Sequence, residues 1–189
     1  MTLRITIDLE ESDLNHFRLI MKEARKAAGR ASEDEIIAAA EKLLSEVREG
    51  KVPAYIQDRL EKLRVLTDML RDGEWKLPPE ETARVINALA YFAEPEDLIP
   101  DHIPGLGFLD DAIMVELVVR ELRHEIDAYR DFCDFRTREE ARLGKKSEDP
   151  VTREEWLHSR RRELHSRMRR RRRSDRGGRG SKRSPLSLF

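Results

Sequence analysis

The chain of 189 residues has one cysteine, two tryptophans and only 6% aromatic residues. A single thiol, Cys133, excludes an intrachain disulfide and fits a reducing compartment. No stretch approaches the roughly 18 apolar residues of a membrane-spanning helix. The best run, residues 112–119, is interrupted by Glu116. Arg4, Asp8 and Glu10 break any apolar run near the first residue, so no signal peptide is expected. There is no internal repeat and no glycine-rich phosphate loop. Proline (8) and glycine (9) are scarce, and three of the prolines and two of the glycines fall within residues 94–111.

Charge is what the chain has in plenty: 40% charged against 39% hydrophobic residues, with a net charge of −1. That sum hides an asymmetry. Residues 153–189 hold 14 Lys and Arg against four Asp and Glu, a net of +10; residues 1–152 hold 23 against 34, a net of −11. A thin core with solvated faces, in an acidic body and a basic tail, suits a helical protein with partners of different sign.

Residues 3–9 alternate, with Leu3, Ile5, Ile7 and Leu9 on one face, and predict one short N-terminal strand. Ser12 caps a predicted helix over 12–28 with Leu14, Phe17, Ile20, Met21 and Ala24 on one face. Ser32 and Glu35 form a capping box for the next, which carries Ile36, Ile37, Ala40, Leu43, Leu44 and Val47 and stops at Gly50. Pro53 opens a helix with Ile56, Leu60, Leu63, Leu66 and Leu70 inward. After the turn "DGEWKLPP", residues 79–92 form another around Val85, Ile86, Leu89 and Ala90. One long helix is expected over 109–143, buried in its first half and projecting in its second. Thr152 and Glu155 cap a last helix holding Trp156, Leu157, Leu164 and Met168, and "SDRGGRGSKRSP" has a disordered composition. The fold class is all-α: a compact bundle of five or six helices, one N-terminal strand and a disordered basic C-terminal tail. The expected division is 1–50 (strand and two helices), 51–143 (helical core) and 144–189 (basic helix and tail).

Residues 94–111, "EPEDLIPDHIPGLGFLDD", form a stiff corner. Pro95, Pro100 and Pro104 disfavour helix in the residues before them. Gly105 and Gly107 permit positive φ or close approach. Asp97 can cap the turn, and Asp110 and Asp111 face the N–H groups and positive dipole end of the following helix. Asp97, Asp101, His102, Asp110 and Asp111 also offer ligands to Mg²⁺, Mn²⁺ or Ca²⁺, although caps account for the same aspartates. Adjacent helical residues splay about 100° apart, so Asp110 and Asp111 are not a facing catalytic pair. The corner reads as architecture first. No catalytic residue and no cofactor is expected, and an enzyme is the less favoured class.

The stretch "ALAYFAEPEDLIPDHIPGLGFLDDAIMVEL", residues 88–117, resembles the signature of the YkvA-like family, a bacterial domain of unknown function. The resemblance implies a compact helical domain, no established reaction and, in many members, membrane association. Glu116, Arg120, Glu121, Arg123 and Glu125 set this chain apart from the membrane-prone members.

The first 44 residues are similar in outline to a ribbon-helix-helix module. Arg4, Thr6 and Asp8 would then face DNA, yet Asp8, Glu10, Glu11 and Asp13 have the wrong sign. A homodimer through the strand, or a strand packed on its own domain, is expected instead. Arg160, Arg161, Arg162, Arg167, Arg169, Arg170, Arg171, Arg172 and Arg173, followed by an Arg-Gly segment, point to nucleic-acid phosphates. "PLSLF" resembles a bacterial sliding-clamp-binding motif: Leu186, Ser187, Leu188 and Phe189 match, and Pro185 replaces the favoured glutamine. That resemblance implies the clamp as a partner held by Leu186, Leu188 and Phe189. The reading is a cytoplasmic, non-enzymatic adaptor that tethers through weak combined contacts. Two alternatives remain: a peripheral membrane protein held by the basic helix, and a metal-dependent enzyme using the Asp-rich corner.

Overall fold

The computed structural model describes residues 8–27, 31–49, 54–93, 108–143, 150–177 and 186–187. The elements in chain order are β1 (Asp8–Leu9), α1 (Glu11–Ala27), α2 (Glu33–Glu49), α3 (Ala54–Arg71), α4 (Pro79–Leu89), a 3-10 turn (Ala90–Ala93), α5 (Leu109–Glu121), α6 (Arg123–Leu143), α7 (Pro150–Gly177) and β2 (Leu186–Ser187). The all-α class holds. Among the described residues there are seven α-helices, rather than the five or six expected.

Local chemistry sets the helix starts. Ser32 and Glu35 close the predicted box: the Ser32 N–H and hydroxyl both donate to the Glu35 carboxylate (2.6 and 2.9 Å), and the Glu35 N–H donates back to Ser32 Oγ (3.3 Å). At α1 the cap moves two residues upstream of Ser12. Leu14 N–H donates to the Glu10 carbonyl at 3.0 Å, and the Glu10 N–H donates to the Asp13 carboxylate at 2.9 Å. A carboxylate three residues on serves the same purpose as the box, so the serine is not needed. Pro78 is extended (φ −61°, ψ 148°) before Pro79 opens α4.

The contacts divide the described chain into two units: residues 1–68, 78–121 and 182–189 in the first, 69–77 and 122–181 in the second. In the first unit, α4 and the 3-10 turn touch α1 and α2, and α1 touches α5. α5 is buried nearly all round through Leu109, Ala112, Ile113, Met114, Val115, Leu117 and Val118. A helix apolar on all faces belongs at the centre of a core. Ile56, Leu60, Leu63 and Leu66 of α3 are buried as expected. Of the expected helix faces, Phe17, Ile20 and Leu44 are only half-buried.

The second unit is a helical hairpin. Ion pairs join α6 residues 124, 125, 131 and 140 to α7 residues 175, 172, 167 and 153 respectively, so the helices run antiparallel. Trp75, in the turn after α3, is fully buried here, with ring centroids 5.0 Å from Phe132, 5.8 Å from Tyr129 and 4.3 Å from His165.

Several expectations are corrected. The single helix over 109–143 is two: α5 ends at Glu121 and α6 starts at Arg123, with the Ile126 N–H donating to the Leu122 carbonyl at 3.0 Å. No proline or glycine causes the break. The Arg84 guanidinium donates to the Glu121 carbonyl at 3.2 Å and so satisfies a group that an unbroken helix would pair internally. The second half does not project; Leu122, Ile126, Ala128, Tyr129 and Phe132 are buried. Leu70 is half-buried and Met69 takes the inward place, because the last turn of α3 belongs to the second unit. The helix over 79–92 tightens to 3-10 at Ala90. α7 starts at Pro150, so Thr152 lies inside it: proline with its fixed φ opens the helix. The basic segment is no loose tail up to Gly177, since 174–177, placed in the disordered composition, are helical. Of the expected strand only Asp8–Leu9 is described as extended. It pairs antiparallel with this chain's own β2, Asp8 opposite Ser187 and Leu9 opposite Leu186, and a strand of the expected length is not supported.

Candidate functional site

α7 has two arginine faces, and they differ in what neutralises them. Leu157, Arg161, Leu164 and Met168 recur at helical spacing and are buried. Arg161 sits among them because its donors are used: 2.6 Å to the Glu74 carbonyl and 3.2 Å to Glu154. Arg172 reaches the fully buried Glu125 carboxylate at 2.8 Å, and Arg167 pairs with Asp131. Arg160 bonds Glu163 at 2.7 Å and lies 5.2 Å from the Phe135 ring centre. Four of the nine predicted nucleic-acid arginines are therefore structural.

The opposite face holds Arg162, Arg169, Arg170 and Arg173, at positions i, i+7, i+8 and i+11. At 1.5 Å per residue they span about 16 Å of helix. None makes an ion pair or hydrogen bond among the described residues, and neither does Arg171 on the flank. Arg162, Arg170, Arg171 and Arg173 are exposed and Arg169 is half-buried. Ser159 and Ser166 share the stripe, with Glu155 at its far end. A row of unneutralised guanidiniums on an exposed face is solvated by water and is suited to anions, above all a repeating row of them.

The motif segment is partly described. Asp110 and Asp111 are buried in the first turn of α5 behind Phe108, whose carbonyl accepts from the Ala112 N–H at 3.0 Å and whose φ is 64°. Both aspartates are partnered, in the place where the helix dipole favours carboxylates. Glu81, in the first turn of α4, is equally buried and partnered, and escaped the sequence reading. Pro95, Asp97, Pro100, Asp101, His102, Pro104, Gly105 and Gly107 lie outside the described residues, as do Leu188 and Phe189. Leu186 is described only as part of β2. Among the described residues no group of three or more His, Cys, Asp or Glu is placed to hold a metal.

Sequence reasoning also missed the polar shell of Trp75. Asp72 Oδ1 accepts from the Glu74 and Trp75 N–H groups (2.9 and 3.1 Å), and Oδ2 accepts from Tyr129 (3.1 Å) and Arg136 (2.9 Å). Glu74 receives Arg136 at 2.9 Å and also Arg153. Burial pushes the Tyr129 hydroxyl far above its ordinary range, with Cys133 and Asp72 adding to the rise. Burial also raises the Cys133 thiol, so Cys133 is a poor nucleophile. The available signal was a tryptophan in a turn: so large an apolar group next to "DG" has to be buried somewhere.

With this geometry set out, the class is that of helical proteins carrying a segment of unknown function. Residues 83–117 match the family described as "Protein of unknown function (DUF1232)". Over 65 residues the chain is 37% identical to the uncharacterized membrane protein YkvA of Bacillus subtilis (strain 168), covering 32% of this chain and 61% of that protein. The chain thus spans about three fifths of the length of the curated relative it matches. No solved structure matches. The YkvA-like resemblance of the motif is supported over that segment; the clamp-binding resemblance is not. No described helix is long and apolar enough to cross a membrane.

Proposed function

We propose that this is a non-enzymatic, cytoplasmic interaction protein whose α7 stripe contacts the phosphate backbone of nucleic acid. The observation that carries the reading is the row Arg162, Arg169, Arg170 and Arg173, without ion pairs among the described residues, beside arginines of the same helix that are paired with carboxylates. Such contacts position a protein without reading sequence. The second contact in this reading is the terminal Leu-Ser-Leu-Phe, docking its apolar side chains on a sliding clamp. That docking requires Leu186–Ser187 to leave the pairing with Asp8–Leu9.

The test is fluorescence anisotropy of labelled DNA and RNA against the full chain and a variant carrying R162Q, R169Q, R170Q and R173Q. The expected loss is at least about tenfold, with the salt slope smaller by about three. Unchanged binding in the variant removes the reading. A Leu188→Ala/Phe189→Ala variant run against purified clamp tests the second contact in the same way.

The name of the relative favours one further reading. YkvA is called a membrane protein. With no spanning helix among the described residues, attachment here would be peripheral, through the same arginines on anionic lipid. Co-sedimentation with anionic vesicles at physiological salt, without binding to DNA or RNA, selects it.

A further inference from the structure

A second cationic cluster lies in the first unit, away from α7 in sequence and unused by the reading above. Glu116, on α5, lies within ion-pair distance of three cations. Lys62 Nζ is 3.0 Å away, Arg120 Nε 3.3 Å and Arg59 Nε 3.9 Å. Glu116 (15% exposed) and Arg59 (18%) are shielded, Lys62 (34%) is half-buried and Arg120 (43%) is exposed at the rim. One carboxylate against three cations leaves two positive charges in a half-buried place.

Arg59 is the informative member. A guanidinium has five N–H donors, and those of a shielded one are ordinarily used. At 3.9 Å its contact with Glu116 is an ion pair without a hydrogen bond, and its Nε, like those of Arg25 and Arg160, is buried with no hydrogen-bond partner among the described residues. Arg59 and Lys62 stand one turn apart on the same face of α3, where like charges repel unless an anion lies between them. Glu116 supplies that anion only in part, since its other oxygen is turned to Arg120. An oxyanion beside Arg59 would accept from its unpartnered Nε–H and neutralise the excess.

We propose that Arg59, Lys62 and Arg120 form a binding site for a phosphate-monoester dianion, with Glu116 as the built-in competitor that orders the cations when no ligand is bound. A dianion matches the excess of two charges. The site makes a prediction that a simple salt-bridge network does not: removing the acid should strengthen the ligand.

The experiment is calorimetric titration of the full chain with inorganic phosphate, beside Arg59→Gln, Glu116→Gln and the quadruple α7 variant. Saturable binding at one site is expected, weakened about tenfold by Arg59→Gln. It should be tightened by Glu116→Gln and unchanged by the α7 variant. If Arg59→Gln does not fold, the rise in melting temperature with phosphate, larger in Glu116→Gln than in the parent, carries the same test. A parallel arm uses phosphatidylcholine vesicles with and without phosphatidic acid. Binding to phosphate alone assigns a soluble phosphate monoester. Arg59-dependent binding to the phosphatidic acid vesicles as well assigns a lipid headgroup. Binding to neither overturns the site, and so does phosphate binding lost in the α7 variant but kept in Arg59→Gln. Failure here leaves the α7 reading standing, because the two sets of arginines are varied separately.

Discussion

The two units reach burial by different chemistry. The first is built on aliphatic and small side chains around α5, with charge placed at helix starts and edges. The second has few aliphatic residues and a helix of repeated arginines, yet it buries Trp75, Phe132, Leu157, Leu164 and Met168. It does so by pairing: Arg172 with Glu125, Arg167 with Asp131, Arg136 with Asp72 and Glu74, and Arg161 with a backbone carbonyl. A guanidinium enters a core when every donor pointing inward meets an oxygen and its stem packs on apolar neighbours. Low hydropathy in α7 therefore did not mean a solvated helix. What is left over is a set of α7 arginines, Arg162, Arg169, Arg170, Arg171 and Arg173, with no ion pair or hydrogen bond among the described residues.

The sharpest way to break the contrast is Trp75→Ala, which removes the aromatic centre of the second unit. The expected loss is about 4 kcal/mol. Hydrogen exchange should show amides of α6 and α7 losing protection before those of α1 and α2. The mirror change, Leu60→Ala, removes a fully buried aliphatic side chain from the first unit and should cost about 3 kcal/mol, with the reverse order of protection. Arg172→Ala leaves the Glu125 carboxylate buried without its cation and should cost about 2–3 kcal/mol, read from urea midpoints. Ser32→Ala removes a hydroxyl from the α2 capping box in the first unit and should cost about 1 kcal/mol.

The smallest effect is electrostatic. Hydrogen bonds from His124, then Arg123, hold the Asp175 carboxyl below its ordinary range. A depressed folded-state value means stabilisation that is present above the ordinary carboxyl range, about pH 4, and is lost as pH falls through the folded value. Both tryptophans, Trp75 and Trp156, lie in the second unit, so tryptophan fluorescence, excited where tyrosine does not absorb, reports that unit alone. Its acid unfolding should be shallower in Asp175→Asn than in the parent.

Much of the fold was legible. The capping box at Ser32 and Glu35, the α3 face up to Leu66 and the turn before Pro79 follow from local rules of spacing and hydrogen bonding, while the motif spanning residues 88–117 was legible as a family resemblance. The missing parts were non-local. The break at Leu122 has no breaker residue, and the carbonyl it frees at Glu121 is taken up by Arg84, 37 positions upstream. The Asp72–Arg136 pair is separated by 64 residues and the Glu125–Arg172 pair by 47. Charge periodicity cannot announce such partners. The candidate site was legible as a set of arginines but not as a face, because four of the nine are spent inside the protein.

By itself the sequence determined helix, cap and turn, since each is decided within a few residues by backbone hydrogen bonds and apolar spacing. It also carried the family segment, which is a local pattern. Only the tertiary structure decided which charges are free. Whether an arginine meets a carboxylate depends on where a distant helix lies, and that separates Arg172 from Arg173 and leaves the Arg59 Nε without a hydrogen bond among the described residues.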